Sequence, residues 1–181
     1  MILTVLATLL LLLPAAFGGK LSRLAEVEIA GRHWLLLGLL LQVVAIGLGS
    51  RVPREVAAGL HISSYLVLGA VIWANRALPG VPLIGLGGLG NGLTIAVNGG
   101  TLPASAEAMA VAGLRTEGDG FSNSAPLAEP RLWFLGDVFA IPAPIPLANV
   151  FSVGDVLILA GVALASARIC GPARSGSGSR S

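Results

Sequence analysis

Five apolar stretches dominate the chain: residues 1–17 (MILTVLATLLLLLPAAF), 33–49 (HWLLLGLLLQVVAIGLG), 56–74 (VAAGLHISSYLVLGAVIWA), 80–97 (GVPLIGLGGLGNGLTIAV) and 150–168 (VFSVGDVLILAGVALASAR). Each approaches the roughly 20 residues that an α-helix needs to cross hydrocarbon. With 55% hydrophobic and only 11% charged residues, the remaining chain cannot supply an ordinary water-facing surface. The expected fold class is therefore all-α, an integral membrane bundle of about five transmembrane helices. Residues 1–170 form one domain, and the Gly/Ser-rich stretch 171–181 is expected to be a disordered cytoplasmic tail.

The first stretch has a small-residue region at Ala15 and Ala16 that would suit a signal-peptide cleavage site. It has no basic residue before the apolar run, which favours a retained span. Five spans put the termini on opposite sides. With the N-terminus outside, Lys20, Arg23, Arg32, Arg76, Arg168, Arg174 and Arg180 lie inside, against Arg51, Arg54, Arg115 and Arg131 outside. This excess favours N-out, C-in under the positive-inside rule, and it places Trp34 and Trp73 at the inner interface.

A net charge of +2 with dispersed Lys and Arg gives no basic stripe for nucleic acid. The single Cys170 excludes an internal disulfide, and His33 and His61 stand too far apart for a local metal motif, so neither metal nor cofactor is expected. The expected partners are membrane lipids and another membrane protein or a second copy of the chain.

Polar residues inside the apolar runs carry the functional argument. Asn91, Thr94 and Asn98 lie at i, i+3 and i+7, one face of the fourth span. Amides on such a face must meet protein or a wet cavity. Gly88-x-x-x-Gly92 would let a neighbouring backbone approach closely, and Gln42 stands at a depth where it could bond Asn91. His61 opens the third span near the outer face as a hydrogen-bonded interface residue.

The outer segment, 98–149, begins with a helix stop at Asn98, Gly99 and Gly100. A short Ala-rich helix should follow from Pro103, which suits a first helical position. The polar stretch RTEGDGFSNSAPLAEP reads as a mobile loop in which Glu117, Asp119 and Glu129 are merely solvated. Beyond it, LWFLGDVFAIPAPIPLANVF carries Pro142, Pro144 and Pro146 at alternate positions, which excludes a regular helix. An extended apolar segment lying along or dipping into the membrane surface is expected, bracketed by Asp137 and Asp155.

Topology returns NGGTLP, LGDV and FSVGDV to one outer neighbourhood. The candidate groove is therefore Asn91, Thr94, Asn98, Gly99, Gly100, Pro103, Asp137, Ser152 and Asp155, with Asp137 and Asp155 as candidate catalytic groups. Asp155 also fits a loose capping box with Ser152 and complements the helix dipole.

The N-G-G-T-L-P turn, the S-V-G-D-V-L entry to the last span and the early GGKLSRLAEVEIAGRHWLLL segment resemble a family of small bacterial multi-pass membrane proteins of unassigned function. That resemblance covers nearly the whole chain and implies a bacterial cell membrane. GLGNGLT, LGDVF and FSVGDV are also similar in order to the motifs of the lipoprotein signal peptidases, G-N-x-x-D, V-x-D-F and F-N-x-A-D. On that comparison Asp155 matches the second catalytic aspartate and Asp137 the intervening one, while Thr94 replaces the first and Ser152 the asparagine. A missing carboxylate breaks the acid and base pair that activates water, unless Asp137 substitutes. The expected function is thus a non-enzymatic lipid-, peptide- or partner-binding accessory membrane protein, with an intramembrane aspartic hydrolase as the alternative.

Overall fold

The computed structural model of the chain describes residues 2–49, 51–114 and 122–171. The expected tail, Arg174 and Arg180, and the loop residues Arg115, Glu117 and Asp119 lie outside these. Helix α1 (Ile2–Leu12) narrows into a 3₁₀ turn at Leu13–Phe17, where Pro14 cannot donate to a continuing α-helix. A single turn, α2 (Ser22–Ala25), leads to α3 (Arg32–Gly47), α4 (Arg54–Ala74) and α5 (Val81–Val97), and the chain ends with α7 (Val153–Cys170). Pro53 and Pro82 sit at helix starts, where a missing N–H costs nothing. α4 and α7 are long and apolar enough to cross a membrane; α3, α5 and Leu3–Phe17 are shorter apolar helices.

The long helices pack in the order α3, α4, α5, α7, α1. Their directions follow from their partners. Ala30 exchanges hydrogen bonds with Asn75 at the foot of α4, and Gly38 abuts Leu68. Tyr65 of α4 meets Gly92 while Ile72 meets Gly85, so α4 and α5 are antiparallel. α5 and α7 are antiparallel as well, Gly80 facing Gly161 and Gly87 facing Gly154. At the far end of α7, Lys20 N–H and the Arg23 guanidinium reach the carbonyls of Cys170 and Gly171. One end of the molecule therefore gathers residues 18–31, 75–80 and 170–171. The other carries the described residues between Asn98 and Ser152.

The glycines of α5 serve two faces. Gly88 and Gly92 look toward side chains of α4, Ile72 and Tyr65, whereas the backbone-to-backbone approach expected of that pair occurs at Gly80 and Gly87 against α7. Asn91 turns with them toward α7. α3 packs on α4 instead, and no Gln42–Asn91 bond forms among the described residues.

The segment expected to lie outside forms a small cap containing strands, which corrects the all-α expectation. α5 stops at Val97, and Gly99 (φ 68°) and Gly100 (φ 94°) reverse the chain in the left-handed region open to glycine. β1 (Leu102–Pro103) follows, and α6 (Ala106–Val111) starts not at Pro103 but after Ser105, whose Oγ accepts the Ala108 N–H at 3.3 Å. β2 (Ser124–Ala125) pairs in parallel with β1, so part of the stretch read as a mobile loop is strand. A 3₁₀ turn (Trp133–Leu135) precedes the antiparallel hairpin of β3 (Asp137–Ile141) and β4 (Asn149–Ser152). Pro142, Pro144 and Pro146 fall in the hairpin turn, outside the ladder that proline cannot support. Ala104, Ala108, Met109, Ala112 and Val150 form the cap's core, with Ala140 against it. These small side chains bring α6 close onto the hairpin.

Candidate functional site

The cap joins the bundle where β4 runs without a break into α7. Ser152 is extended (φ −104°, ψ 168°), and its Oγ accepts the Asp155 N–H at 3.0 Å while donating to Asn91 Oδ1 at 2.9 Å. Asp155 reciprocates: Oδ2 accepts the Ser152 N–H at 2.9 Å, and Oδ1 accepts Asn91 Nδ2–H at 3.0 Å. The loose capping box of the sequence is a complete one, bolted to α5 through Asn91. Gly154 makes room for it, since a Cβ there would stand 2.1 Å from Asn91 Oδ1.

Directly across the hairpin ladder from Ser152 lies Asp137, beside a register irregularity between Asp137 and Phe139. Its backbone bridges to Ala104, and its carbonyl accepts the Ser105 N–H at 3.0 Å. The side chain is 5% exposed. Oδ2 accepts the Ser124 hydroxyl at 2.5 Å, while Oδ1 has no hydrogen-bond partner among the described residues. Burial pushes the carboxyl up to about 6 against the lowering effect of Ser124, and the nearby negative charge of Asp155 adds to the rise. A group held there changes protonation close to neutral pH.

The other expected groove residues have separate tasks. Buried Thr94 donates to the Gly90 carbonyl of its own helix at 2.9 Å. Asn98 staples the cap to α5: its Nδ2 donates to the carbonyls of Thr94 (2.7 Å) and Arg131 (2.8 Å), and its Oδ1 accepts the Arg131 N–H at 2.8 Å. Gly99 has open space beside it, and Gly100 rests on Ala58. Pro103 lies in β1 beside the Asp137 strand, its carbonyl oxygen 2.2 Å from where a Cβ on Gly136 would stand, and it lines a groove with Pro126, Leu127 and Trp133. Asn91, Asp137, Ser152 and Asp155 therefore meet, whereas Thr94, Asn98, Gly99, Gly100 and Pro103 support the fold around them.

Three further side chains take part: His61, already read as a hydrogen-bonded residue, and two that the sequence reading missed, Tyr65 and Ser124. His61, fully buried, bonds the Gly100 carbonyl through Nδ1 at 2.7 Å, which requires the proton on that nitrogen. Tyr65 stacks edge-on to His61 at 5.4 Å and stands within electrostatic reach of both Asp155 and Asp137. Their spacing of four residues on an apolar helix was the available signal. Ser124 sat in a polar turn with no such mark. Among the described residues, no group of three or more His, Cys, Asp or Glu could hold a metal ion.

Asp155→Asn tests the cap directly. An amide accepts at only one end, so its NH₂ would face either the Ser152 N–H or the Asn91 amide hydrogens. We expect a loss of about 1–2 kcal/mol, read as a lower melting temperature in detergent. An unchanged melt would mean that the cap contributes nothing to the fold.

Fold and junction together define a small, mostly helical protein whose strand-containing cap is tied into the helices through polar side chains. The chain belongs to a family of unknown function, DUF5317, whose model matches residues 26–166. Searches of curated proteins and of solved structures each returned no match.

Proposed function

We infer that the chain is a five-span protein of a bacterial cell membrane, N-terminus outside, in which the cap serves as a non-enzymatic module binding a lipid, a peptide or a partner helix at the outer face. The carrying observation is the distribution of exposed apolar side chains. Leu36, Leu39, Leu40, Val43 and Ile46 of α3, Leu66 of α4 and Leu86, Leu89 and Leu93 of α5 all face outward. A soluble protein rarely exposes apolar surface so contiguously, and lipid covers it without cost.

Charges support the same placement. Within the long helices they occur only near the ends, and Lys20, Arg23, Arg32, Arg76 and Arg168 gather at one end of the bundle. Trp73 belongs to that end, and the Arg76 guanidinium lies 4.6 Å from its ring centroid, an arrangement suited to an inner interface. Transmembrane assignments for the shorter helices α1, α3 and α5 belong to this reading. So does a domain comprising residues 1–170.

An intramembrane hydrolase finds support in the elevated Asp137 carboxyl beside Asp155. It is disfavoured because both Asp155 oxygens are already committed to Ser152 and Asn91, leaving no second carboxylate to take a proton from water.

The test uses the exposed positions Glu129 and Glu26, at opposite ends, each changed to Cys; native Cys170 is buried. An impermeant maleimide bearing a photo-crosslinker is applied to intact cells. Glu129→Cys should label from outside and crosslink to a discrete lipid or protein species, and Glu26→Cys should label only after permeabilisation. Labelling of Glu26→Cys in intact cells would overturn the orientation; a clean label at Glu129→Cys with no crosslinked product would overturn the binding role.

A further inference from the structure

No charged residue stands between Asp137 and Asp155, so the hairpin strands, the turn PAPIPLA and the entry to α7 offer water no ionic group. What they expose is apolar. Phe139, Ile145 and Leu147 are each at least 40% exposed, and Phe139 stacks on Phe151 with ring centroids 5.4 Å apart. The neighbouring turn adds Trp133 and Phe134, 62% and 53% exposed.

This surface continues that of the helices. The two-way bonding of Asn98 and Arg131 fixes the chain just before Trp133 to the end of α5, where Leu93 and Val97 are exposed. On the other side β4 passes directly into α7, whose Val153 and Val156 are exposed. Whatever covers the outer ends of α5 and α7 extends without interruption onto the cap.

We propose that the Trp133–Phe134 turn and the β3–β4 hairpin rest in the headgroup and glycerol layer of the outer leaflet, so that the cap lies on the phospholipid surface. The proposal rests on the five-span reading and deepens it by committing the cap to one occupant, the phospholipid surface. Depth follows from the backbone. A two-stranded hairpin leaves edge N–H and C=O groups unpaired, which hydrocarbon cannot satisfy, so the strands stay out of the acyl core. At the tip, Pro142, Pro144 and Pro146 remove donors that would otherwise need water, which lets Ile145 and Leu147 dip farthest. Trp133 takes the interfacial position that indole rings prefer.

Single-tryptophan forms test this in phosphatidylcholine vesicles whose acyl chains carry bromine, a fluorescence quencher, at shallow or deep positions. One form keeps Trp133 (Trp34→Phe, Trp73→Phe), one keeps Trp34 (Trp73→Phe, Trp133→Phe), and one carries Ile145→Trp with all three native tryptophans changed to Phe. Trp133 and Ile145→Trp should lose fluorescence, more to shallow than to deep bromines, and Trp34 should be quenched as well. If Trp34 is quenched but either cap position is not, the cap stands in water or under a protein partner, and this proposal fails while the five-span reading survives. Stronger quenching of Trp133 by deep bromines also overturns it. Failure of all three forms to quench would remove the five-span reading itself.

Discussion

Asp137→Asn is expected to melt several degrees above the parent protein at pH 8 and close to it at pH 4. The folded protein holds the Asp137 proton up to about 6, whereas the same carboxyl titrates at 3.8 when unperturbed. Folding therefore gains from proton binding, and that gain is complete below 3.8 and lost as pH rises through 6. The gap of about two pH units corresponds to about 3 kcal/mol between acid and alkaline conditions. Asparagine keeps an oxygen for the Ser124 hydroxyl and carries no charge beside Asp155. Its NH₂ would take the place of an oxygen that has no hydrogen-bond partner among the described residues, so the observed gain should fall short of the full amount. The parent's stability should decline between pH 4 and 7, and the variant's profile should be nearly flat over that range. A variant less stable than the parent at pH 8 would mean that the ionised Asp137 is well solvated or paired, and the picture of a costly buried carboxyl would be wrong.

That cost at Asp137 contrasts with Asp155, and the contrast explains which parts of the junction were legible. Ser152 and Asp155 are three residues apart, and a capping box is a local pattern that sequence spacing reveals. Asn91 was legible as a polar residue that must face protein. Its partner was not, because Gln42 and Asp155 are equally acceptable to an amide and only the packing order of helices decides. The Asp137 partner, Ser124, depends on β2 pairing with β1 across a long polar stretch. Two-residue strands leave no periodic signature, so that stretch read as loop. Prolines in the hairpin turn misled in the same way: alternate positions forbid a helix, yet do not state whether the chain extends or reverses. The long apolar helices, by contrast, announce themselves through composition over a whole turn-by-turn surface.

The largest loss is expected from methyl groups added between α5 and α7. Gly80 and Gly87 on one side and Gly161 and Gly154 on the other are seven residues apart in each sequence, so two backbone crossings fall on the same pair of antiparallel faces. A Cβ at Gly87 would stand 2.3 Å from the Gly154 carbonyl oxygen, and one at Gly154 would stand 2.1 Å from Asn91 Oδ1 and 2.8 Å from the Gly87 carbonyl. The obstacles at Gly87 and Gly154 include backbone, so rotating a side chain cannot relieve them. The helices must separate, which pulls Asn91 away from Ser152 and Asp155 as well. Gly87→Ala or Gly154→Ala should cost on the order of 3 kcal/mol or more, enough to abolish a monodisperse product in detergent. Gly90→Ala provides the control within the same helix: apart from its chain neighbours and its own helix backbone, no described atom lies within 4 Å of its Cβ position. There alanine should stabilise by about 0.5–1 kcal/mol through helix propensity alone. If Gly154→Ala and Gly90→Ala melt at the same temperature, α5 and α7 are not in close backbone contact, and the polar junction built across them is wrong too.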